Sequence, residues 1–209
     1  MIKERLGSDV DAVVYRLFPF VRSLRVHPDT LTLAGALVSF LAAWALAEEQ
    51  RFGAGLLLMV AGFFDLVDGV VARQQGLSSS AGAFFDSSID RLSDLMIFGG
   101  IAVARASAGD TAGTGLVMWA ITATVMTSYT RASAEKRLHT LKVGMMERGE
   151  RFGVLIVGAL SGFVLTAVFA IAVGATITAL QRVREGRRLL RQLDATGVDP
   201  TREEVASGG

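Results

Sequence analysis

Residues 65–90 read DLVDGVVARQQGLSSSAGAFFDSSID, and they set four carboxylates, Asp65, Asp68, Asp86 and Asp90, between the chain's longest apolar segments. Side chains three or four apart share a helix face. Asp65, Asp68, Gly69, Ala72 and Arg73 therefore form one stripe on a first helix, and Gly82, Asp86 and Asp90 form another on the next. A carboxylate at membrane depth is costly unless it is paired, hydrated or bound to metal. The stretch is thus either a poor pair of membrane spans or half of a polar cavity, and the rest of the chain decides between the two.

The 209 residues are 51% hydrophobic with a mean hydropathy of +0.46, yet 20% are charged and the net charge is only +1. That balance reads as a small integral membrane protein of one domain rather than a soluble one. The absence of cysteine excludes disulfides and thiolate metal sites, and His27 and His139 are too few for an imidazole-rich zinc site. The N-terminus, MIKERLGSDVDAVVYRLF, has no uninterrupted apolar core of a cleavable signal and is expected to stay on the mature protein. Residues 9–25 alternate apolar clusters (Val13, Val14, Leu17, Phe18, Val21) with Arg16, Arg22 and Arg25. They predict an amphipathic juxtamembrane helix, either lying on an anionic membrane surface or packed on the protein's own bundle.

The expected fold is all-α and membrane-embedded, with six transmembrane helices. Residues 30–47 carry no charge and make a first span. The second joins the uncharged run 52–64 to the Asp65–Arg73 motif, and the third joins the Asp86–Asp90 motif to LMIFGGIAVA at 95–104. Each is long enough only if its acidic half faces protein or water. Residues 111–130 form the fourth. Residues 152–181 are uncharged, and as one helix they would measure about 45 Å against a hydrocarbon core of ~30 Å. Two spans turning near Ser161-Gly162 fit better. Lys and Arg alternate between loops accordingly, leaving only Arg51 and Arg105 on the poor side, so both termini and both acidic stripes belong to the cytoplasmic side of the cell membrane. Residues 1–193 form the membrane domain, and 194–209 are expected to be a polar, disordered tail.

Four close carboxylates repel one another unless cations sit among them, and an oxygen-only donor set suits Mg2+ or Mn2+ completed by substrate phosphates. Gly69, Ala72 and Gly82 remove bulk on the same faces, which either admits a phosphorylated ligand to the backbone or lets helices pack closely. Arg73 either neutralises a phosphate or anchors topology.

The pattern Asp65-x2-Asp68-Gly69-x2-Ala72-Arg73-x8-Gly82-x3-Asp86-x3-Asp90 resembles the signature of the CDP-alcohol phosphotransferase (CDP-alcohol phosphatidyltransferase) family, with every specified position filled. The Pro28-x3-Thr32 element, the six spans and the amphipathic N-terminus are similar to the family as well. The resemblance implies transfer of a phosphatidyl group from CDP-diacylglycerol to an alcohol, with release of CMP. It implies two Mg2+ or Mn2+ ions held by Asp65, Asp68 and Asp86, with Asp90 on the second ion or serving as the base for the hydroxyl proton. Gly69, Ala72, Arg73 and Gly82, beside Asp68, would line the cytidine and phosphate side, with Pro28 and Thr32 at the nucleotide. A homodimer among membrane lipids is implied too, with no nucleic acid as partner.

Arg131, Arg148, Arg151 and Arg182 lie near the cytoplasmic ends of the last three expected spans. Guanidinium groups bind phosphate well, so they suggest a phosphorylated alcohol as acceptor. Residues 128–152, SYTRASAEKRLHTLKVGMMERGERF, resemble bacterial phosphatidylinositol-phosphate synthases, although Ser133 stands where those enzymes often have Arg. Inositol phosphate is the favoured acceptor and glycerol 3-phosphate the nearest alternative. A divalent-cation transporter would also bury carboxylates near a cytosolic opening, but it gives no reason for the interleaved Gly, Ala and Arg.

Overall fold

The computed structural model describes residues 14–16, 18, 19, 21 and 26–201. Among them the regular structure is helical and no strand occurs. Six long helices follow in order: α1 Pro28–Ala47, α2 Arg51–Gln74, α3 Ser80–Ser107, α4 Thr111–Ala134, α5 Arg148–Ser161 and α6 Val164–Thr196. They fall into two compact units, residues 1–104 and 105–209, with α3 running across the division.

In the first unit, α1 starts where Pro28 takes a first-turn position whose N–H would be orphaned anyway, and His27 Nδ1 accepts from Asp29 N–H at 3.3 Å. α1 and α2 pack closely because Gly35 has no side chain; a methyl there would reach 3.1 Å from Phe64 Cβ. α3 meets α1 at Gly100, where a methyl would collide with the Ala43 carbonyl. α2 ends at Gly76, whose φ of 65° suits glycine, and α3 begins with Ser79 Oγ accepting from Gly82 N–H at 3.0 Å. The predicted N-terminal helix lies mostly outside the described residues. Of those described, Val14 and Val21 are buried against Leu31, Val67, Val70 and Val71, and Tyr15 donates to Gln74 Oε1 at 3.1 Å.

The second unit is built on α6, which packs against α4 and α5. α4 is capped by Asp110, whose carboxylate accepts from Gly113 N–H at 2.8 Å. α5 stops where expected, at Gly162 with φ 83°. The connection between α4 and α5 is fastened to α6 along its length. Leu138 and Leu141 are buried beside Leu189, Leu190 and Leu193, and Met146 N–H donates to Thr178 Oγ1 at 3.1 Å.

Large apolar side chains point away from both interiors: Leu33, Leu37, Leu41 and Trp44 on α1, Phe52 and Leu56 on α2, Phe169, Ile177 and Leu180 on α6. Hydrocarbon surrounds such a surface at no cost, whereas water does not. Among the described residues three helices, α1, α2 and α6, are long and apolar enough to cross a membrane. α5, with 14 residues, measures about 21 Å and is shorter than the span expected for it. α6 continues to Thr196, and the Asp199 carboxylate and Thr201 hydroxyl accept from His139 N–H at 2.7 and 3.1 Å. Residues 194–201 of the expected polar tail thus reach an N–H of the α4–α5 connection, and residues 202–209 lie outside the described residues.

Candidate active site

The reversal at Gly76–Ser79 turns the acidic stripe of α2 toward that of α3. One oxygen each from Asp65, Asp68 and Asp86 lies within 4.8 Å of the others. Asp65 is exposed, Asp86 half-buried and Asp68 buried, with 6% of its surface exposed. Asp68 tolerates burial because Oδ2 accepts from Thr32 Oγ1 on α1 at 2.7 Å. Hydrogen bonds to an ionised acceptor are the stronger kind, and this one fixes the rotamer of the innermost carboxylate. Asp90 sits one turn beyond Asp86 on the same face of α3 and is half-buried, but it is not part of this three-residue group.

The cluster opens onto a cleft of about 760 Å³. Every residue expected on the nucleotide side lines it: Pro28, Thr32, Asp68, Gly69, Ala72, Arg73 and Gly82. Gly69 is bare on that side, and a methyl there would lie 3.4 Å from Arg73 Nη1, so the guanidinium reaches back over exposed backbone. A methyl on Gly82 would press to 3.2 Å on Ser79 Oγ, the group that caps α3. His27 and Ser79 also line the cleft; the sequence reading did not single them out, since neither lies on the helical stripes. Three convergent carboxylate oxygens, with no sulfur or nitrogen donor in the group, fit a hard divalent cation.

Three of the four arginines expected at the acceptor come together in the second unit. Arg182, only 4% exposed, donates from Nε to Val143 O at 2.7 Å, from Nη1 to Thr127 O at 2.9 Å and from Nη2 to Glu147 Oε1 at 3.0 Å. Arg151, also buried, donates from Nη1 to Met146 O at 3.1 Å and to Thr127 Oγ1 at 3.4 Å. Arg131 pairs through Nε with Glu135 at 3.0 Å and through Nη1 with Glu147 at 3.5 Å. Arg148 lies over the Phe152 ring, 5.6 Å from its centroid. Glu147, Glu135 and Thr127 are members of this cluster that charge counting alone did not bring forward.

Comparison with known proteins agrees with this architecture. The profile of the family described as CDP-alcohol phosphatidyltransferase matches residues 25–180. An archaetidylinositol phosphate synthase of Pyrococcus horikoshii is 36% identical over 192 residues, covering 89% of this chain and 97% of that protein. A phosphatidylinositol phosphate synthase of Streptomyces avermitilis is 34% identical over 205 residues, covering 88% and 80%. The crystal structure of Mycobacterium tuberculosis phosphatidylinositol phosphate synthase with CDP-DAG bound shares the fold, with a TM-score of 0.71 at 23% identity over 87% of this chain and 94% of that one. The same enzyme in complex with manganese and citrate aligns with a TM-score of 0.72 over 86% and 88%. With Asp65, Asp68 and Asp86 of the signature drawn together beside one cleft and three quarters of its length matched, this chain belongs to the CDP-alcohol phosphatidyltransferase family and is a membrane transferase of phospholipid synthesis.

Proposed function

We propose that the chain transfers the phosphatidyl group of CDP-diacylglycerol to a hydroxyl of inositol phosphate and releases CMP, at the cytoplasmic face of the cell membrane, with all six helices contributing to the membrane domain. The observation that carries the chemistry is the convergence of Asp65, Asp68 and Asp86 on a cleft lined by Gly69, Ala72, Arg73 and Gly82. The named relatives, whose products are inositol phosphate lipids, support the acceptor. The family resemblance supports a homodimer.

Asp65, Asp68 and Asp86 would hold Mg2+ or Mn2+, two ions in all, and these ions would neutralise the pyrophosphate and the departing CMP. Thr32 keeps the Asp68 carboxylate turned toward the cleft. Gly69 and Gly82 let the pyrophosphate approach backbone, and Arg73 offsets its charge. Asp90 accepts the proton of the acceptor hydroxyl as that oxygen attacks the phosphatidyl phosphorus; the bond from this phosphorus to the CMP oxygen breaks, and CMP leaves with the electron pair. Arg131, Arg148, Arg151 and Arg182 serve the acceptor's phosphate.

CMP release from CDP-diacylglycerol, followed with Mg2+, Mn2+ or EDTA, tests the reading across inositol phosphate, glycerol 3-phosphate, inositol and serine. Metal-dependent release that is fastest with inositol phosphate is expected. A preference for glycerol 3-phosphate replaces the acceptor. No release with any alcohol, together with metal uptake into sealed vesicles, would replace the enzyme with a transporter.

A further inference from the structure

Glu147 takes the N-cap position of α5, yet its side chain makes no capping hydrogen bond. Its Oε1 accepts from Arg182 Nη2 at 3.0 Å and lies 3.5 Å from Arg131 Nη1, so one carboxylate oxygen sits between guanidinium groups from two helices. Neither arginine depends on Glu147 for its orientation. Arg182 is held by the carbonyls of Val143 and Thr127. Arg131 is held by Glu135, whose Oε1 also accepts from Leu141 N–H at 3.0 Å. Glu147 therefore supplies charge balance more than alignment. Its side chain is 49% exposed, against 4% for Arg182, so it can withdraw into water while the guanidinium stays.

We propose that Glu147 is a resident counter-anion that the acceptor's phosphate displaces from Arg131 and Arg182, which makes it a specificity-determining residue. This rests on the reading that these arginines receive the acceptor's phosphate. A phosphate dianion competes with one carboxylate for paired guanidinium groups, and a neutral hydroxyl does not. Glu147 thereby keeps unphosphorylated polyols from profiting from the arginines, and it raises the concentration at which the phosphorylated acceptor saturates.

Glu147→Gln keeps the shape and removes the charge. Glu147→Ser removes the charge while installing a favoured N-cap, which guards against a loss of folding. Inorganic phosphate titrated calorimetrically into the full-length, detergent-solubilised protein without added lipid should bind both variants about 2- to 5-fold more tightly than the native chain, the scale of an exposed ion pair. The gain should vanish when Arg131→Gln is added, and KM for inositol phosphate should fall by the same factor. Weaker phosphate binding or a higher KM in both variants would mean that Glu147 aligns the arginines, and this would overturn the proposal, as would unchanged binding. Should the native chain use only an unphosphorylated alcohol, the acceptor reading fails, while the phosphate titration still decides whether Glu147 guards an anion site.

Discussion

Asp68 is the buried member of the carboxylate trio, and Thr32 is the group that answers it. Removing one partner of a charged hydrogen bond costs about 1.5–3 kcal/mol, or roughly 10- to 100-fold when it is felt in the transition state. Thr32→Val should thus lower kcat/KM for CMP release by about tenfold or more without altering the acceptor preference. Asp68→Asn should do worse, by 100-fold or more, because it removes a carboxylate of the proposed metal site, yet leave the melting temperature of the metal-free protein unchanged or higher, because it also removes a buried charge. Activity with added Mn2+ and thermal melts in EDTA separate the two effects. The i, i+3 and i, i+4 spacing of Asp65, Asp68, Gly69, Ala72 and Arg73 was enough to place these residues on one face. The Thr32–Asp68 bond joins residues 36 apart, and no periodicity connects them.

Between elements, packing is decided by where side chains are missing. Gly100 faces the Ala43 carbonyl across α1 and α3, whereas Gly53, within α2, has nothing within 4 Å of where its Cβ would stand. Gly100→Ala must push the helices apart and should cost about 1–3 kcal/mol. Gly53→Ala should be neutral or stabilising by about 0.5–1 kcal/mol. Comparing melting temperatures in one detergent checks both, and equal values would remove the close contact from the account. The end of α5 was legible at Ser161-Gly162, because an uncharged run too long for one span has to turn and glycine accepts the left-handed backbone. The end of α6 was not. Residues 194–201 look polar enough to stay in water, but Asp199 and Thr201 are held by an N–H at His139, 60 and 62 residues earlier.

At the scale of the whole molecule, α3 tests which helices cross the bilayer. α3 has 28 residues and measures about 42 Å, ample for a span even though its first half is acidic. Since the native chain has no cysteine, Leu77→Cys and Ala108→Cys, both at exposed positions flanking or ending α3, can be labelled singly. In right-side-out vesicles a membrane-impermeant maleimide should reach Cys at position 108 and spare position 77, with the reverse in inverted vesicles. Labelling of both from one side would remove α3 from the set of spans, and labelling of position 77 in right-side-out vesicles would remove the acidic cleft from the cytoplasmic face. The sequence alone determined the helical class, the membrane character and the acidic stripes, since composition, helical period and local spacing are properties of neighbouring residues, while the family's chemistry entered only through the resemblance of the Asp65–Asp90 pattern. Only the tertiary structure brought one oxygen each of Asp65, Asp68 and Asp86 within 4.8 Å of the others. It alone showed that Thr32 supports the innermost one and that Arg182 spends its donors on Val143, Thr127 and Glu147. These pairings bring together residues dozens of positions apart, and such meetings are set by how helices pack, which no local pattern along the chain encodes.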